Sequence, residues 1–387
     1  MHSEVYDVAI VGAGPAGSTA AYYLAKDPAL KILLLDRCSF PRYKPCAGGL
    51  FLADDWQDEF ENFAKISGSI ARQSCHDFHF YYNKRHFYHT PNTHLFDVVD
   101  RTEFDAALLG AALLRPNVSF RQCKVERVKE EGTGENRYYR LISAGNEAAA
   151  RFLIGAEGFR GVVCRSLGNH TPRINEYGSC LQYDLECAKT LPVSTSVFFS
   201  WEGELGYAWI FPSVKGYTVG MGMVGKTASP LPVMLDGFLD YLLKEEKVPA
   251  SFVKTRLSGA PCPIYVVPRF CNERILLCGD SLGAVRQLTG EGIYYAMKTG
   301  QIAARCLIEK KCGLAKRYQK ALQPVLREVT FVRRFPPTVV AKVLVRLFMG
   351  LVLLALKSGF AEPLRRHLIN TFHRMNLLPP RSHYQPV

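Results

Sequence analysis

"YDVAIVGAGPAGSTAAYYLAK", residues Tyr6 to Lys26, decides the fold. Val8 to Val11 is an unbroken apolar run, the mark of a parallel strand buried on both faces. Gly12, Gly14 and Gly17 then give G-x-G-x-x-G, and an alanine-rich stretch of helical length follows. Each glycine has its own task. Gly12 permits the tight turn, Gly14 lets the backbone approach a pyrophosphate, and Gly17 lets the helix pack closely on the strand. The helix start around Ala16 presents N–H groups and a partial positive charge to the phosphates. A second strand, "KILLLD", ends in Asp36, about 20 residues beyond the glycines, where a carboxylate can bond ribose hydroxyls; Arg37 follows it. Strand, turn, helix and acidic strand end together predict a dinucleotide-binding unit.

The remaining composition bounds the setting. A chain of 387 residues with 48% hydrophobic residues suits one large domain or two interleaved ones with a real core. The net charge is +13, and from residue 303 onward Lys and Arg outnumber Asp and Glu by 16 to 3. The rest of the chain is therefore balanced. A basic region this rich in apolar residues points to an anionic phospholipid surface rather than nucleic acid, with a solvated basic face as the alternative. "VVAKVLVRLFMGLVLLALK", Val339 to Lys357, is interrupted by Lys342 and Arg346. Its uninterrupted apolar run, Leu347 to Leu356, is half the ~20 residues a span requires. An amphipathic helix on a membrane or closing an apolar pocket is expected, with a core helix as the plainer reading. Twelve cysteines include no C-x-x-C pair, so no zinc motif is read and reduced thiols are expected. No signal peptide precedes the first strand, which points to a cytoplasmic, peripherally membrane-associated protein.

Two later stretches repeat the strand–turn–helix grammar. "FLIGAEGFRGVVCRSLG" runs from Phe152 to Gly168. "RILLCGDSLGAVRQLTGEGIYYAMKTGQIAA" runs from Arg274 to Ala304, with a buried strand ending in Gly279-Asp280 and a glycine turn, Gly290 to Gly292, opening a long helix at Ile293. Asp280 at a strand end can bond a ribityl or phosphate-linked oxygen, or cap a helix. By contrast "GMGMVGKT", Gly220 to Thr227, matches a P-loop pattern but lacks its context. Pro230 and Pro232 argue against an immediate helix, and "GYTVGMGMV" reads as a strand whose glycines let something approach its face.

The motifs "GAGPAG", "PRYKPCAGG", "VDRTEFD", "GAEGFRG", "GYAWIFP" and "GDSLGAVRQLTGEGI" resemble those of the geranylgeranyl reductase family, within the p-hydroxybenzoate hydroxylase-like FAD group. The likeness runs from the first strand to about Ala304. It implies an α/β fold: a Rossmann-like FAD-binding domain interleaved with an antiparallel-sheet substrate domain, plus a C-terminal helical region. The expected segments are 1–73, 98–172 and 262–320 for FAD, 74–97 and 173–261 for substrate, and 321–387 for the helical, basic end. By resemblance, Ala16 and Asp36 hold the ADP half of FAD, and Cys46, Ala47, Gly48 and Gly49 lie along the flavin. Arg101 contacts the cofactor, Val125 on the strand "FRQCKVERV" meets adenine through its backbone, and Asp280, Gly290, Gly292 and Ile293 meet the ribityl-phosphate and isoalloxazine parts. Three departures from the family pattern stand out: Ala47 for glycine, Glu157 with Gly161 for Asp and Ser, and Gln287 for proline.

The resemblance implies an FAD-dependent reductase of prenyl chains, with a digeranylgeranylglycerophospholipid as substrate. Prenyl-quinone and geranylgeranyl-pigment reductases are the nearer alternatives, and a monooxygenase, a halogenase or a flavin-bearing binding protein the more distant ones. Saturating an isolated alkene takes a hydride and a proton in a site without bulk water. Cys46, on the glycine turn "CAGG", is the candidate catalytic acid or water positioner; small-residue packing is the alternative. NAD(P)H or a ferredoxin-like protein is the expected reductant. Tyr207, Trp209 and Phe211 alternate on one strand face and are read as the substrate wall, or as ordinary sheet core. "CHDFHFYYNKRHFYHT" reads as a hairpin turning at Asn83-Lys84. Its histidines and His94 lie on both faces with no obvious carboxylate partner, so a sheet face is preferred to a metal site.

Overall fold

A computed structural model describes residues 5–51, 55–90, 94, 96–187, 195–225, 227–309 and 312–330. The expected amphipathic segment, Val339 to Lys357, and nearly all of the basic end lie outside the described residues. In chain order the elements are β1 (Val5–Val11), α1 (Pro15–Leu24), β2 (Ile32–Asp36), β3 (Gly49–Phe51), α2 (Trp56–Glu59), α3 (Glu61–Ile66), β4 (Arg72–Cys75), β5 (Phe78–Tyr82), β6 (Arg85–Thr90), β7 (Phe96–Val99) and α4 (Arg101–Leu113). There follow β8 (Val118–Gln122), β9 (Arg127–Glu131), β10 (Tyr138–Ser143), β11 (Asn146–Gly155), α5 (Val162–Ser166), β12 (Tyr177–Glu186), β13 (Thr195–Phe199), β14 (Gly206–Ser213), β15 (Gly216–Val224), α6 (Leu231–Lys244), β16 (Val253–Pro263), β17 (Ile275–Leu277), α7 (Ile293–Ile308) and α8 (Leu314–Val329).

Three sheets organise these elements. The first has the order β8-β2-β1-β11-β10-β9, with β17 also paired to β11. Its β8, β2, β1, β11 and β17 are parallel, and the apolar runs of β1 and β2 are buried between helices, as a two-sided parallel sheet demands. Every residue of α1 is buried, because α7 crosses it at very short range. Gly300 makes that crossing possible: a Cβ there would lie 2.3 Å from the Ala16 carbonyl oxygen.

The second sheet, β16-β12-β15-β14-β13-β5-β6, is antiparallel apart from the β13–β5 pair. Its two faces have different partners. Ala208, Ile210, Val219 and Met221 pack with Leu235, Phe238, Leu239 and Leu242 of α6. Fully burying such a side chain contributes roughly 1.5–3 kcal/mol, so α6 is anchored by its apolar stripe. Trp209 and Phe211 point the other way, toward Phe96 and Val98 of the small third sheet, β3-β7-β4. The period-2 alternation of "GYAWIFP" is thus realised as two distinct packing faces.

Three local expectations change. Val125 lies between β8 and β9 rather than on a strand. A helix does start soon after "GMGMVGKT", at Leu231, because Pro230 and Pro232 flank its first residue, where a missing N–H costs no intrahelical bond. It begins beyond Thr227, and the preceding residues are strand β15, so the P-loop geometry is absent. The β5–β6 hairpin turns at Asn83-Lys84 but carries a bulge at Phe80/Tyr81. The bulge brings His86 Nε2 to 3.1 Å from His79 Nδ1, with His89 stacked on His79. Carboxylates are also present: Asp77 lies 3.6 Å from His89, and Asp97 lies 2.8 Å from His94.

Candidate active site

A cavity of about 1280 Å3 runs between the edge of the first sheet and the aromatic face of the second. Pockets for one drug-sized ligand are roughly 300–1,000 Å3, so this one has room for a dinucleotide and part of a second molecule.

Backbone builds the first end. Gly12 has φ +103°, and a Cβ there would lie 2.2 Å from the Ala156 carbonyl oxygen. Gly12, Gly14 and Ala16 line the cavity, whereas Gly17 stands behind it: a Cβ on Gly17 would lie 1.8 Å from the Gly12 carbonyl oxygen. Gly17 therefore serves packing, as its motif position predicts. The N-terminus of α1 has no side-chain cap and no acidic residue in its first turn. Its open N–H groups fit a phosphate. Asp36 lies on the same wall, but its carboxylate is already engaged. Oδ2 accepts the Ala13 N–H at 2.8 Å and Oδ1 accepts the Cys38 N–H at 3.0 Å. Each oxygen keeps a second lone pair, so the group both fixes the turn and retains accepting capacity. Arg37 and Val125 line the cavity next to it.

The loop before β3 carries Cys46, Ala47 and Gly48 along the cavity wall, and Gly49 opens the strand beside them. Gly48 has φ +77°, and a Cβ would lie 2.2 Å from the Val99 carbonyl oxygen, so the loop hugs β7 at that point. The Cys46 Sγ accepts the Gly48 N–H at 3.4 Å. Beneath it, Arg101 grips Asp105 with two bonds of 2.9 Å, and Arg42 reaches the same carboxylate at 3.2 Å. Burial opposes the Arg101 charge, but Asp105 and a hydrogen bond to Cys46 outweigh it and hold the guanidinium protonated. Two guanidiniums share one buried carboxylate, leaving net positive charge against Gly14, whose added Cβ would lie 3.3 Å from Arg42 Nη2. That surplus fits an anionic pyrophosphate. Arg42 and Asp105 escaped the sequence reading. The i,i+4 spacing of Arg101 and Asp105 on one helix was the available signal.

Asp280, Gly290, Gly292 and Ile293 close the far end. Asp280 is 3.9 Å from Lys44. The α7 N-terminus, like that of α1, has neither a side-chain cap nor an acidic first turn. Two uncapped helix ends thus meet one cavity. Between the turns sit two carboxyls that burial raises to about 7, Glu157 and Glu291, the latter in spite of Arg286 nearby. Glu157 Oε1 accepts the Val163 N–H at 2.6 Å, while its Oε2 is buried and unpartnered. The family departures at 157 and 161 explain each other. A Cβ at residue 161 would lie 2.1 Å from Glu157 Cγ, so the longer carboxylate occupies the space of any side chain there.

Side chains build the remaining wall. Tyr207, Trp209 and Phe211 all line the cavity, and the Tyr207 hydroxyl donates to the Thr289 carbonyl at 2.5 Å, tying the second sheet to the glycine turn. The approach that the β15 glycines allow is made by the protein itself. A Cβ on Gly220 would lie 2.3 Å from the Trp209 ring, so the indole lies flat across β15. Phe51, Phe87 and Phe199 add to the aromatic lining and were missed; the hairpin bulge that sets the direction of Phe87 has no sequence signature.

Comparison with known proteins agrees with this geometry. The Thi4 family model matches residues 2–52, the first βαβ turn and the cysteine loop. Digeranylgeranylglycerophospholipid reductase 3 of Methanosphaera stadtmanae is 30% identical, over 79% of this chain and 78% of its own. Menaquinone reductase of Mycobacterium tuberculosis is 28% identical, over 85% and 84%. Among solved structures, a geranylgeranyl bacteriochlorophyll reductase-like protein from Thermoplasma acidophilum superposes with a TM-score of 0.68, at 24% identity and 84% coverage of each chain. The uncapped helix ends, the glycine cradle and the basic loop fit FAD, and with these relatives they place the chain in the geranylgeranyl reductase family of FAD-dependent oxidoreductases.

Proposed function

We propose that the protein saturates the isoprenoid double bonds of a prenylated membrane lipid, with a digeranylgeranylglycerophospholipid as substrate. Reduction of isoprenoid chains follows from the family; the lipid is our reading, supported by the name of the Methanosphaera relative. The observation that carries it is continuity: one cavity joins the glycine cradle to an aromatic slot, with the Cys46 loop between them.

Bound FAD, once reduced, supplies the hydride. The chain does the rest. The N-termini of α1 and α7 with Arg42 and Arg101 hold the anionic cofactor, and Asp36, Arg37 and Val125 take its adenosine end. Ala47 and Gly49 leave room for the ring, and Asp280, Gly290 and Ile293 meet its ribityl side. Trp209, Tyr207 and Phe211 bound the slot and keep water from the reacting carbons, where an isolated alkene offers no carbonyl to carry charge. Cys46 gives the proton. Arg101, bonded to that thiol, balances the charge left on sulfur. In this reading segments 1–73, 98–172 and 262–320 bind cofactor, and 74–97 with 173–261 shape the slot. The basic, apolar region 321–387 docks on an anionic bilayer. Among the described residues no helix is long and apolar enough to cross a membrane.

The test is a substrate panel under anaerobic turnover: digeranylgeranylglycerophospholipid, menaquinone and geranylgeranyl diphosphate, with products weighed for gains of two hydrogens. The glycerophospholipid should show the highest kcat/KM. Preference for menaquinone would move the assignment to prenyl quinones, and hydroxylated products would replace it with a monooxygenase. NAD(P)H and ferredoxin are distinguished by which reduces the bound flavin.

A further inference from the structure

We propose that Cys180 and Cys262 form a dithiol–disulfide couple in the cavity wall, a redox site separate from Cys46. The two residues sit on neighbouring antiparallel strands. In the β12–β16 register Cys180 faces Ala260 and Gly178 faces Cys262, so the cysteines are diagonal neighbours on one sheet face. Both line the cavity, on the side that carries Tyr207. No sequence spacing announces the pair, because the residues are brought together only by strand pairing.

Their environments differ in the way thiol exchange requires. A hydrogen bond from Cys262 lowers the Cys180 pKa against the effect of burial, and the Lys44 ammonium adds to the lowering. The same bond, with burial, raises Cys262 well above the ordinary thiol value. One sulfur is thus readied to attack while its partner is held as a thiol. Cys180 lies over Gly222, where an added Cβ would be 3.1 Å from Sγ. Diagonal cross-strand neighbours stand farther apart than the roughly 3.5–4.5 Å between Cβ atoms that a disulfide needs. Closure therefore requires β16 to shift, and β16 is an edge strand held on one side only, with Pro261 and Pro263 flanking Cys262. A bridge formed against such a shift is easily reduced, which suits a reversible couple rather than a structural staple.

The chemistry balances with an external disulfide as oxidant. The Cys180 thiolate attacks one external sulfur, forming a mixed disulfide and releasing one thiol. Cys262 loses its proton, attacks Cys180 Sγ and releases the second. Two protein thiols and one external disulfide become one internal disulfide and two external thiols. Two electrons leave the protein, and its two protons go to the released thiols. A dithiol reductant reverses the sequence.

The experiment uses the full-length flavin-loaded protein and oxidised glutathione. Apart from an adduct at exposed Cys312, the thiols titrated after denaturation should fall by two from twelve, and dithiothreitol should restore them. Non-reducing peptide mapping should join the peptides of Cys180 and Cys262, and Cys262→Ser should leave Cys180 trapped as a glutathione adduct. The Cys46→Ser variant should form the bridge as the wild type does. The proposal is overturned if exposed Cys312 takes up glutathione while the other eleven thiols remain, if the wild type stops at adducts, or if a bridge involves Cys46.

Discussion

The two ends of the cavity are built by different means. At the cradle, between α1 and the Cys46 loop, the walls are backbone: Gly12 and Gly48 stand in left-handed conformations within 2.2 Å of a carbonyl oxygen, measured from the Cβ that each lacks. At the slot, the walls are side chains, and the β15 glycines are filled by Trp209 and Cys180. A backbone wall has no way to yield. A side-chain wall can repack.

The sharpest attempt to break this contrast is Gly12→Ala. It combines a forbidden φ with a backbone clash, and we expect loss of bound flavin and about 3 kcal/mol or more of stability, read from flavin absorbance and urea unfolding. A variant that retains flavin with wild-type stability would remove the rigid-cradle idea. Next in size is Cys46→Ala, at the boundary between the two ends. General acid catalysis contributes about 10²–10⁴-fold, so prenyl reduction should fall by at least about 100-fold while flavin stays bound. An unchanged rate would make Cys46 a packing residue.

The buried carboxyls supply a pH test of the cradle side. Glu157 and Glu291 have folded pKa values raised to about 7. Their stabilisation is full below the ordinary glutamate value and is lost as pH rises toward and through 7. Stability should therefore decline between about pH 5 and 7.5, by on the order of 3 kcal/mol per group at most. Glu157→Gln should flatten that decline in unfolding midpoints; an identical slope would locate the proton elsewhere. The compensation at residue 161 is a smaller effect of the same region. Gly161→Ala should cost about 1–3 kcal/mol, and adding Glu157→Asp should recover most of it. Strict additivity in the double-mutant cycle would deny the contact. The mildest change belongs to the slot: Gly222→Ala meets the rotatable Cys180 Sγ at 3.1 Å and touches Trp209 only at 4.0 Å, and should cost under about 1.5 kcal/mol with flavin retained.

The same contrast explains what could be read before the structure. Motifs that act through backbone have fixed spacing, so Gly12, Gly14, Gly17 and Asp36 announced the first sheet and its turn, and alternation announced the two faces of β14. Side-chain pairings between distant segments leave no local trace. Arg42 meeting Asp105, Tyr207 reaching Thr289, and Trp209 lying over Gly220 all depend on how sheets pack. The substitutions at 157 and 161 were visible as departures, but that one accommodates the other is a matter of packing. Val125, expected on a strand, lies between β8 and β9.

The central claim is that reducing equivalents held at the cradle reach a carbon–carbon double bond in the slot. It is tested by reducing the flavin-loaded protein anaerobically, adding digeranylgeranylglycerophospholipid, and following flavin absorbance and lipid mass together. We predict that the flavin is reoxidised in step with the gain of two hydrogens per flavin by the lipid. A flavin that stays reduced while the lipid is bound and unchanged would contradict the account.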